Sequence, residues 1–365
     1  MKRKPPRVGI REEKLNTLLV DGNALFKTGF FGASSEFNKD GVHVGGIYQF
    51  ITVLRKLLTD NLYHQVYVFW DGTFSGKLRW EIYPEYKGDR GKDFINGTHP
   101  VDQEEVRQKI RISKYLDELF IRQIMDEIVE SDDYIAYYCL RKKQCETITI
   151  ITNDADMAQL INTDVQIYFC NPQIKNYVTT QNFNTYFDYH IENAALMKTL
   201  LGDVSDSIRG VKRLGEPTLL SHFPELKTRK VTIEEILISA DKQQQIRLSE
   251  KKKPLAVLDH ILNGVSTKKN KETGETDDIV LGMELYERNW KLVNLKKPMM
   301  TESGIARLES YLDVPLDPDN RGVKNVYTLI KEDGIDRIIG EQRFADYLIP
   351  FKKLMERERK KLIEE

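Results

Sequence analysis

Three short apolar runs, each closed by an acidic residue, restrict the fold of this chain more than any other feature. Leu15 to Val20 ends in Asp21-Gly22-Asn23, Gln65 to Trp70 ends in Asp71-Gly72, and Thr147 to Thr152 ends in Asn153-Asp154-Ala155-Asp156. Between the first two, Val44 to Leu58 carries apolar residues at 44, 47, 48, 51, 54, 57 and 58. That spacing is helical and long enough for a right-handed crossover between parallel strands. A further run, Val165 to Phe169, is followed by an Asn171-Pro172 turn. Strands alternating with helices predict an α/β domain over roughly the first 180 residues, with a largely parallel central sheet flanked by helices. In such sheets ligand sites gather beyond the carboxyl ends of the strands, where these aspartates fall.

More carboxylates come from elsewhere. Glu130, Asp132 and Asp133 stand at a helix start in Ile-Val-Glu-Ser-Asp-Asp-Tyr-Ile-Ala, and Asp203 and Asp206 lie in a Gly-bearing turn between helical stretches at Ala194 to Leu201 and Pro217 to Phe223. Taken singly, Asp21 and Asp71 are explicable as strand-end turn residues, Asp132 or Asp133 as helix caps, and Asp203 as a turn former. Gathered from separate segments, the set Asp21, Asp71, Glu130, Asp132, Asp133, Asp154, Asp156, Asp203 and Asp206 would raise its own pKa values by mutual repulsion unless cations neutralise it. Hard oxygen ligands without His or Cys select Mg²⁺ or Mn²⁺. Two such ions about 4 Å apart activate water and steady both oxygens of an in-line phosphodiester displacement.

The stretch from Gly72 to Val106 sustains no period. Lys77, Arg79, Lys87, Arg90 and Lys92 alternate there with Trp80, Tyr83, Tyr86 and Phe94. Cations interleaved with aromatics suit a surface that tracks a nucleic-acid backbone and stacks bases. A solvated loop whose cations offset Glu81, Glu85 and Asp89 fits the composition equally well. Val106 to Val129 reads as an amphipathic helix leading back to the acidic centre. In the 202–215 hairpin, exposed backbone amides with Lys212 and Arg213 could grip phosphates. Lys268 to Asp278 is charged and apolar-poor and reads as a mobile loop or linker, 279–351 as helical, and the tail from Lys352 as a charged helix. The expected division is an α/β core over 1–190, a helical nucleic-acid-binding subdomain over 191–264, and a charged loop with helical extension over 265–365.

With 365 residues and 40% apolar content, the chain can bury a substantial core in one large or two modest domains. No apolar run reaches membrane-spanning length, and Met1 to Lys14 is basic without the apolar centre of a secretory signal, so a cytosolic setting is expected. Cys139, Cys145 and Cys170 have neither paired metal spacing nor an even count and read as core residues. A net charge of −1 leaves the question of a polyanionic partner to local patches.

The motifs taken together resemble a known family. Val-Asp-Gly-Asn (20–23), Phe-Trp-Asp-Gly (69–72), Tyr-Pro-Glu-Tyr-Lys-Gly-Asp-Arg (83–90), Glu-Ser-Asp-Asp (130–133), Asn-Asp-Ala-Asp (153–156) and Gly-Asp-Val-Ser-Asp-Ser-Ile-Arg-Gly-Val (202–211) look like the ordered signatures of the flap endonuclease / 5'-3' exonuclease family. The likeness runs over residues 17–225, and Arg90-Gly91-Lys92 suggests the phage ribonuclease H branch. It implies a PIN/5'-nuclease-like fold and a Mg²⁺-dependent 5' nuclease, with Mn²⁺ as a substitute. The implied substrates are DNA and RNA/DNA duplexes with a 5' end or flap, cleaved during primer removal in replication. A monomer in a bacterial cytoplasm, phage-encoded, with a replication accessory or single-strand-binding partner and no membrane, completes that picture.

By the same resemblance Asp21, Asp71, Glu130, Asp132 and Asp154 match a first metal site. Asp156, Asp203 and Asp206 match a second, with Asp133 at the boundary. Lys87 and Arg90 match contacts to the scissile phosphate, Tyr86 the aromatic beside it, and Arg79 an upstream phosphate contact; Lys92 belongs to the same basic stretch. The 202–215 segment resembles a helix-three-turn-helix that grips duplex DNA through Arg209, Gly210, Lys212, Arg213 and Gly215, with K⁺ held by backbone carbonyls. The chain departs from the family in having Arg209 where Pro is usual, and Arg213-Leu214-Gly215-Glu216-Pro217-Thr218 where a Gly-Ile-Gly-x-Lys-Thr run is usual. Residues 89–102 match the position of the family's arch. Other readings of the acidic core are a single-strand ribonuclease and a junction-binding protein without catalysis.

Overall fold

The computed structural model describes residues 15–32, 36–38, 40–88, 102–170, 174–269, 276–280, 282–313, 316–317, 321–340 and 344–364. Its centre is a sheet of six strands: β1 (Leu15–Asp21), β2 (Gln65–Asp71), β3 (Arg122–Asp126), β4 (Glu146–Thr152), β5 (Val165–Phe169) and β6 (Asn176–Val178). They lie in the order β3-β2-β1-β4-β5-β6. All pairings are parallel except the last, in which β6 runs against β5. From β1 the chain builds outward through β2 and β3, then returns to lay β4 on the other edge of β1. The boundary between β1 and β4 is therefore a topological switch point, where open α/β sheets take their ligands.

Both faces of this sheet are covered, which is why its strands read as nearly unbroken apolar runs rather than as alternations. Leu18, Val20, Val66, Val68 and Trp70 pack on one face under α1 (Gly22–Gly32), α2 (Gly45–Asp60) and α4 (Gln103–Glu118). Leu19, Tyr67, Phe69, Ile148 and Ile150 point the other way, under α5 (Ser131–Arg141). Between β2 and α4 lies the short α3 (Lys77–Ile82). Asp102 caps α4 by accepting the Glu104 and Glu105 N–H groups at 2.9 and 3.2 Å. The expected helix from Val106 to Val129 is corrected here: it stops at Glu118, and residues 122–126 form the edge strand β3. Arg122-Gln-Ile-Met-Asp126 alternates buried and accessible positions, a period of two that the flanking helical pattern conceals.

Beyond the sheet come α6 (Ala194–Leu201), the two-residue strands β7 (Gly202–Asp203) and β8 (Ile208–Arg209), and α7 (Glu216–His222). The helices α8 (Ile233–Ser249) and α9 (Ala256–Asn263) follow, and Thr232 and Glu235 close a capping box on α8. The charged stretch expected to be a mobile linker is flanked by paired strands, β9 (Val265–Lys269) and β10 (Thr276–Val280), joined antiparallel. β-Branched residues at Val265, Thr267, Thr276, Ile279 and Val280 favour strands at both ends of this stretch despite its charge. Among the described residues, five helices follow: α10 (Met283–Val293), α11 (Glu302–Asp313), α12 (Val323–Asp333), α13 (Asp336–Ile339) and α14 (Phe344–Glu364). They lie against the core. Val326, Ile330, Phe351 and Leu354 share one apolar cluster with β1, α1 and α2. Buried Asp333 accepts from Arg111 at 2.9 Å and from the Tyr115 hydroxyl at 2.7 Å. Cys139 and Cys170 are buried and Cys145 half-buried, all as thiols. No described helix is long and apolar enough to cross a membrane.

Candidate metal centre

Asp21 and Asp71 end adjacent parallel strands, so the register of the sheet alone brings them to one edge. Thr152 ends β4 on the other side of β1, and its hydroxyl donates to Asp21 at 2.8 Å. The chain then turns into a short 3-10 segment (Ala155–Leu160), with Asp154 at its cap accepting the Asp156 N–H at 2.7 Å. From the neighbouring crossover, Glu130 stands at the N-cap position of α5 with its carboxylate turned to other partners, and Asp132 lies in the first turn. The Ser131 N–H donates to Asp71 at 2.8 Å and ties that helix start to β2.

Electrostatics shows how closely these groups feel one another. Burial, and then repulsion from Asp21, Asp154, Asp71 and Glu130, pushes the Asp132 carboxyl well above the usual range. Burial lifts Asp21 to about 7, with Asp71 and Asp154 adding to the rise against the Ala24 N–H and the Thr152 hydroxyl. Asp156 also reaches about 7, through burial and the Asp154 charge, against the pull of Lys198. Burial raises Asp154 and Asp206 as well. Glu130 goes the other way: although buried, it is held below its ordinary value by Lys87 and Arg79.

The last two carboxylates arrive on the β7–β8 hairpin. Asp203 accepts from Ser205 N–H at 2.7 Å and from Asp206 N–H at 3.2 Å, which closes the turn. Gly202 has φ +74°, and a Cβ there would meet the Gly210 nitrogen at 2.3 Å, so the two strands of the hairpin touch only because both residues are glycine. The turn before the undescribed stretch docks on the hairpin tip: Lys87 N–H donates to the Asp206 carbonyl at 2.8 Å, and a Cβ on Gly88 would lie 2.7 Å from the Ser207 Oγ. That docking turns the Lys87 ammonium onto Glu130.

The structure draws Asp21, Asp71, Asp132 and Asp154 into one repelling group, with Asp156, Asp203 and Asp206 alongside. Among the described residues no three carboxylates are already drawn close enough to grip an ion, and Lys87 and Lys198 stand among them as counter-charges. Lys198 was not singled out by sequence reasoning. On α6, it bridges Asp156 at 2.7 Å and Asp203 at 2.5 Å. The available signal was a lysine one helical turn ahead of Gly202-Asp203, where a cation also suits the helix C-terminus.

Three expected site residues take other parts. Asp133 faces away from the group and chelates Arg79 at 2.5 and 3.2 Å, also accepting the Met299 N–H at 2.9 Å. Arg79, expected at a phosphate, is buried between Asp133 and Glu130 and donates to the Leu292 carbonyl at 3.0 Å. Tyr86, expected to stack beside the phosphate, is 3% exposed, and its hydroxyl donates at 3.1 Å to both Glu130 and Asp206. Around the hairpin, Arg209 pairs with Glu85, Lys212 is half-buried, and Arg213 and Gly215 are exposed. Gly210 lies against Leu201. Arg90, Lys92 and the arch-like residues 89–101 lie outside the described residues.

The donor set fits hard divalent cations. It is all carboxylate and drawn from separate elements, and the repulsions that help raise Asp132 and Asp21 are ones that a bound cation would relieve.

Residues 16–188 match the model of a 5'-3' exonuclease N-terminal, resolvase-like domain. The 5'-3' exonuclease of Mycoplasmopsis pulmonis is 28% identical over 246 residues, covering 66% of this chain and 77% of that protein. DNA polymerase I of Lactococcus lactis is 27% identical over 299 residues, 76% of this chain but 31% of the polymerase. The chain thus spans less than a third of that relative. Among solved structures, the bacteriophage T5 5'-exonuclease with divalent zinc bound superposes with a TM-score of 0.53 at 17% identity, over 87% of this chain and 98% of the other. The T5 flap endonuclease in complex with DNA and metal ions gives 0.51 at 17% identity, over 87% and 97%. At such identities the likeness is one of fold.

Proposed function

We propose that this chain, which belongs through residues 16–188 to the 5'-3' exonuclease family, is a Mg²⁺-dependent, structure-specific 5' nuclease. It hydrolyses phosphodiesters in DNA and RNA/DNA duplexes at a 5' end or flap, as primer removal in replication requires. The observation that carries this reading is the convergence at the β1/β4 switch point, where the charges of Asp21, Asp154 and Asp71, from three other segments, add to burial in pushing the Asp132 carboxyl well above its ordinary range. Clustered acidic groups of this kind, with no His or Cys among them, suit Mg²⁺, with Mn²⁺ as a substitute.

Asp21, Asp71, Glu130, Asp132 and Asp154 would hold a first ion, and Asp156, Asp203 and Asp206 a second. Divalent cations there supply the charge that acidifies water and offsets the negative charge gathering on the phosphate. The chain's own residues do the rest. Arg79, anchored by Asp133, pairs directly with Glu130 and fixes it. Tyr86 aims the Glu130 and Asp206 carboxylates by hydrogen bonding to both. Lys87, held over Glu130 by its positive-φ turn, supplies the cation that meets the scissile phosphate as charge develops, with Arg90 beside it. Exposed Arg213 and half-buried Lys212 grip the duplex, while Arg209 is held by Glu85. K⁺ at the 202–215 hairpin would draw on carbonyls other than those of Arg209 and Lys212, which Asn289 and His260 engage. The chain works as a monomer in a bacterial cytoplasm, with a replication accessory or single-strand-binding protein as partner.

The test is incubation with 5'-labelled flap, nicked and RNA-primed duplexes plus Mg²⁺, reading product lengths. Mononucleotides or short oligomers are expected. Changing Asp154→Asn together with Asp156→Asn should abolish cleavage while leaving flap binding largely intact, and full activity in that double variant would sink the metal assignment.

A further inference from the structure

A cavity of about 430 Å³ is lined by Phe74, Lys77, Trp80, Glu127 and Ile128. Its walls come from the same two loops that deliver metal-centre carboxylates: Phe74 follows Asp71 by three residues, and Ile128 precedes Glu130 by two. Those loops are laced together. Gly72 N–H donates to the Asp126 carbonyl at 2.9 Å, and Thr73 N–H to the Glu127 carboxylate at 2.9 Å. The cavity is therefore formed by fixed backbone. Trp80 is fixed as well, since its indole N–H donates to the Tyr86 carbonyl at 2.9 Å. The Tyr86 hydroxyl in turn reaches Glu130 and Asp206. One bonded chain thus runs from the cavity wall to the acidic centre.

Two features call for an occupant. Phe74, three residues beyond the end of β2, remains 43% exposed while the aromatics of that strand are buried. Lys77, at the rim in the first turn of α3, makes no ion pair among the described residues. Aromatic and aliphatic walls accept a flat, uncharged π-face, and a cation at the rim accepts an anion joined to it. A nucleotide presents both. Resting on the nuclease reading, we propose that this cavity is a subsite for one unpaired nucleobase of the strand whose phosphodiester lies over the carboxylates, with Lys77 meeting an adjoining phosphate.

The proposal is tested with flap substrates carrying an abasic residue at successive unpaired positions, cleaved by the full chain and by F74A and K77A. For the unaltered chain, loss of the base at one position should raise KM about tenfold, the scale of a single base–aromatic stack. F74A should raise KM about as much on the intact flap and add nothing further when that base is already missing. K77A should raise KM on both substrates and flatten its salt dependence. With chelator present, 2-aminopurine at the sensitive position should be quenched on binding, and less so by F74A. Equal losses for F74A on intact and abasic flaps, or tolerance of abasic residues at every unpaired position, would overturn the subsite while leaving the nuclease reading standing. An effect of F74A on neither substrate, as a cavity for a partner protein's side chain would give, overturns it too. A chain that cleaves none of the substrates would overturn both readings together.

Discussion

Arg79 shows how one residue can hold a site without touching what the site acts on. It is buried, and its guanidinium is shared by Glu130, Asp133 and the Leu292 carbonyl. Removing one partner of such a set leaves buried charge uncompensated. Arg79→Met is expected to cost about 3–5 kcal/mol of stability, read from denaturant midpoints in the presence of chelator. A change well under 1 kcal/mol would show that water replaces the guanidinium. Lys87 belongs to the reaction instead. Its loss in Lys87→Ala should slow turnover at saturating substrate about 10²–10³-fold and weaken binding far less, as for a group needed mainly in the transition state. Equal losses in both would make it a docking residue. The sequence placed both cations among aromatics next to an acidic strand end. It could not say which one faces inward, because that depends on Asp133 lying one position round α5 from Asp132.

At the scale of elements, the β7–β8 hairpin depends on a helix far along the chain. Asn289 on α10 is fully buried, and its amide donates to the Thr199 carbonyl at 3.0 Å and the Arg209 carbonyl at 2.8 Å, clasping α6 to β8. Lys198 is presented from α6, and Asp203 from β7, the antiparallel partner of β8. Asn289→Leu would strand the buried Thr199 carbonyl at about 1–3 kcal/mol and leave the Arg209 carbonyl with the longer Arg288 contact at 3.4 Å. We expect a lowered melting temperature and a several-fold rise in the Mg²⁺ concentration for half-maximal cleavage. A lower melting temperature with unchanged Mg²⁺ dependence would restrict Asn289 to packing. The strand ends and the hairpin were legible in sequence because short-range chemistry writes them: apolar runs closed by Asp, and glycines on both sides of a turn. The role of α10 was not, because Asn289 acquires it only by packing against partners 80 and 90 positions away. Edge strand β3 was missed for a related reason. Its pairing with β2 decides its conformation, and local pattern favours the preceding helix.

For the molecule as a whole, the acidic centre makes stability depend on proton and cation. Asp21 and Asp156 titrate near 3.8 in the unfolded chain and near 7 in the fold. Between those values the unfolded chain has released protons that the folded chain still holds, so stability falls as pH rises through the window. In chelator, the melting temperature contributed by these groups should decline from about pH 4 to about pH 7, and Mg²⁺ should restore more of it at about pH 8 than at about pH 5. An increment independent of pH would mean that the cation does not displace these protons.

The order of strands carries a consequence in time. The middle strand, β1, is synthesised first, yet its second neighbour, β4, begins more than a hundred residues later. Until β4 emerges from the ribosome, one edge of this interior strand offers bare N–H and C=O groups to any other chain. The helices α12, which packs on α4, and α14, which packs on α2, come later still. Such a chain is exposed to misassembly while it is being made, and slow emergence past residue 152 should make it lean on chaperones during synthesis more than its finished stability suggests.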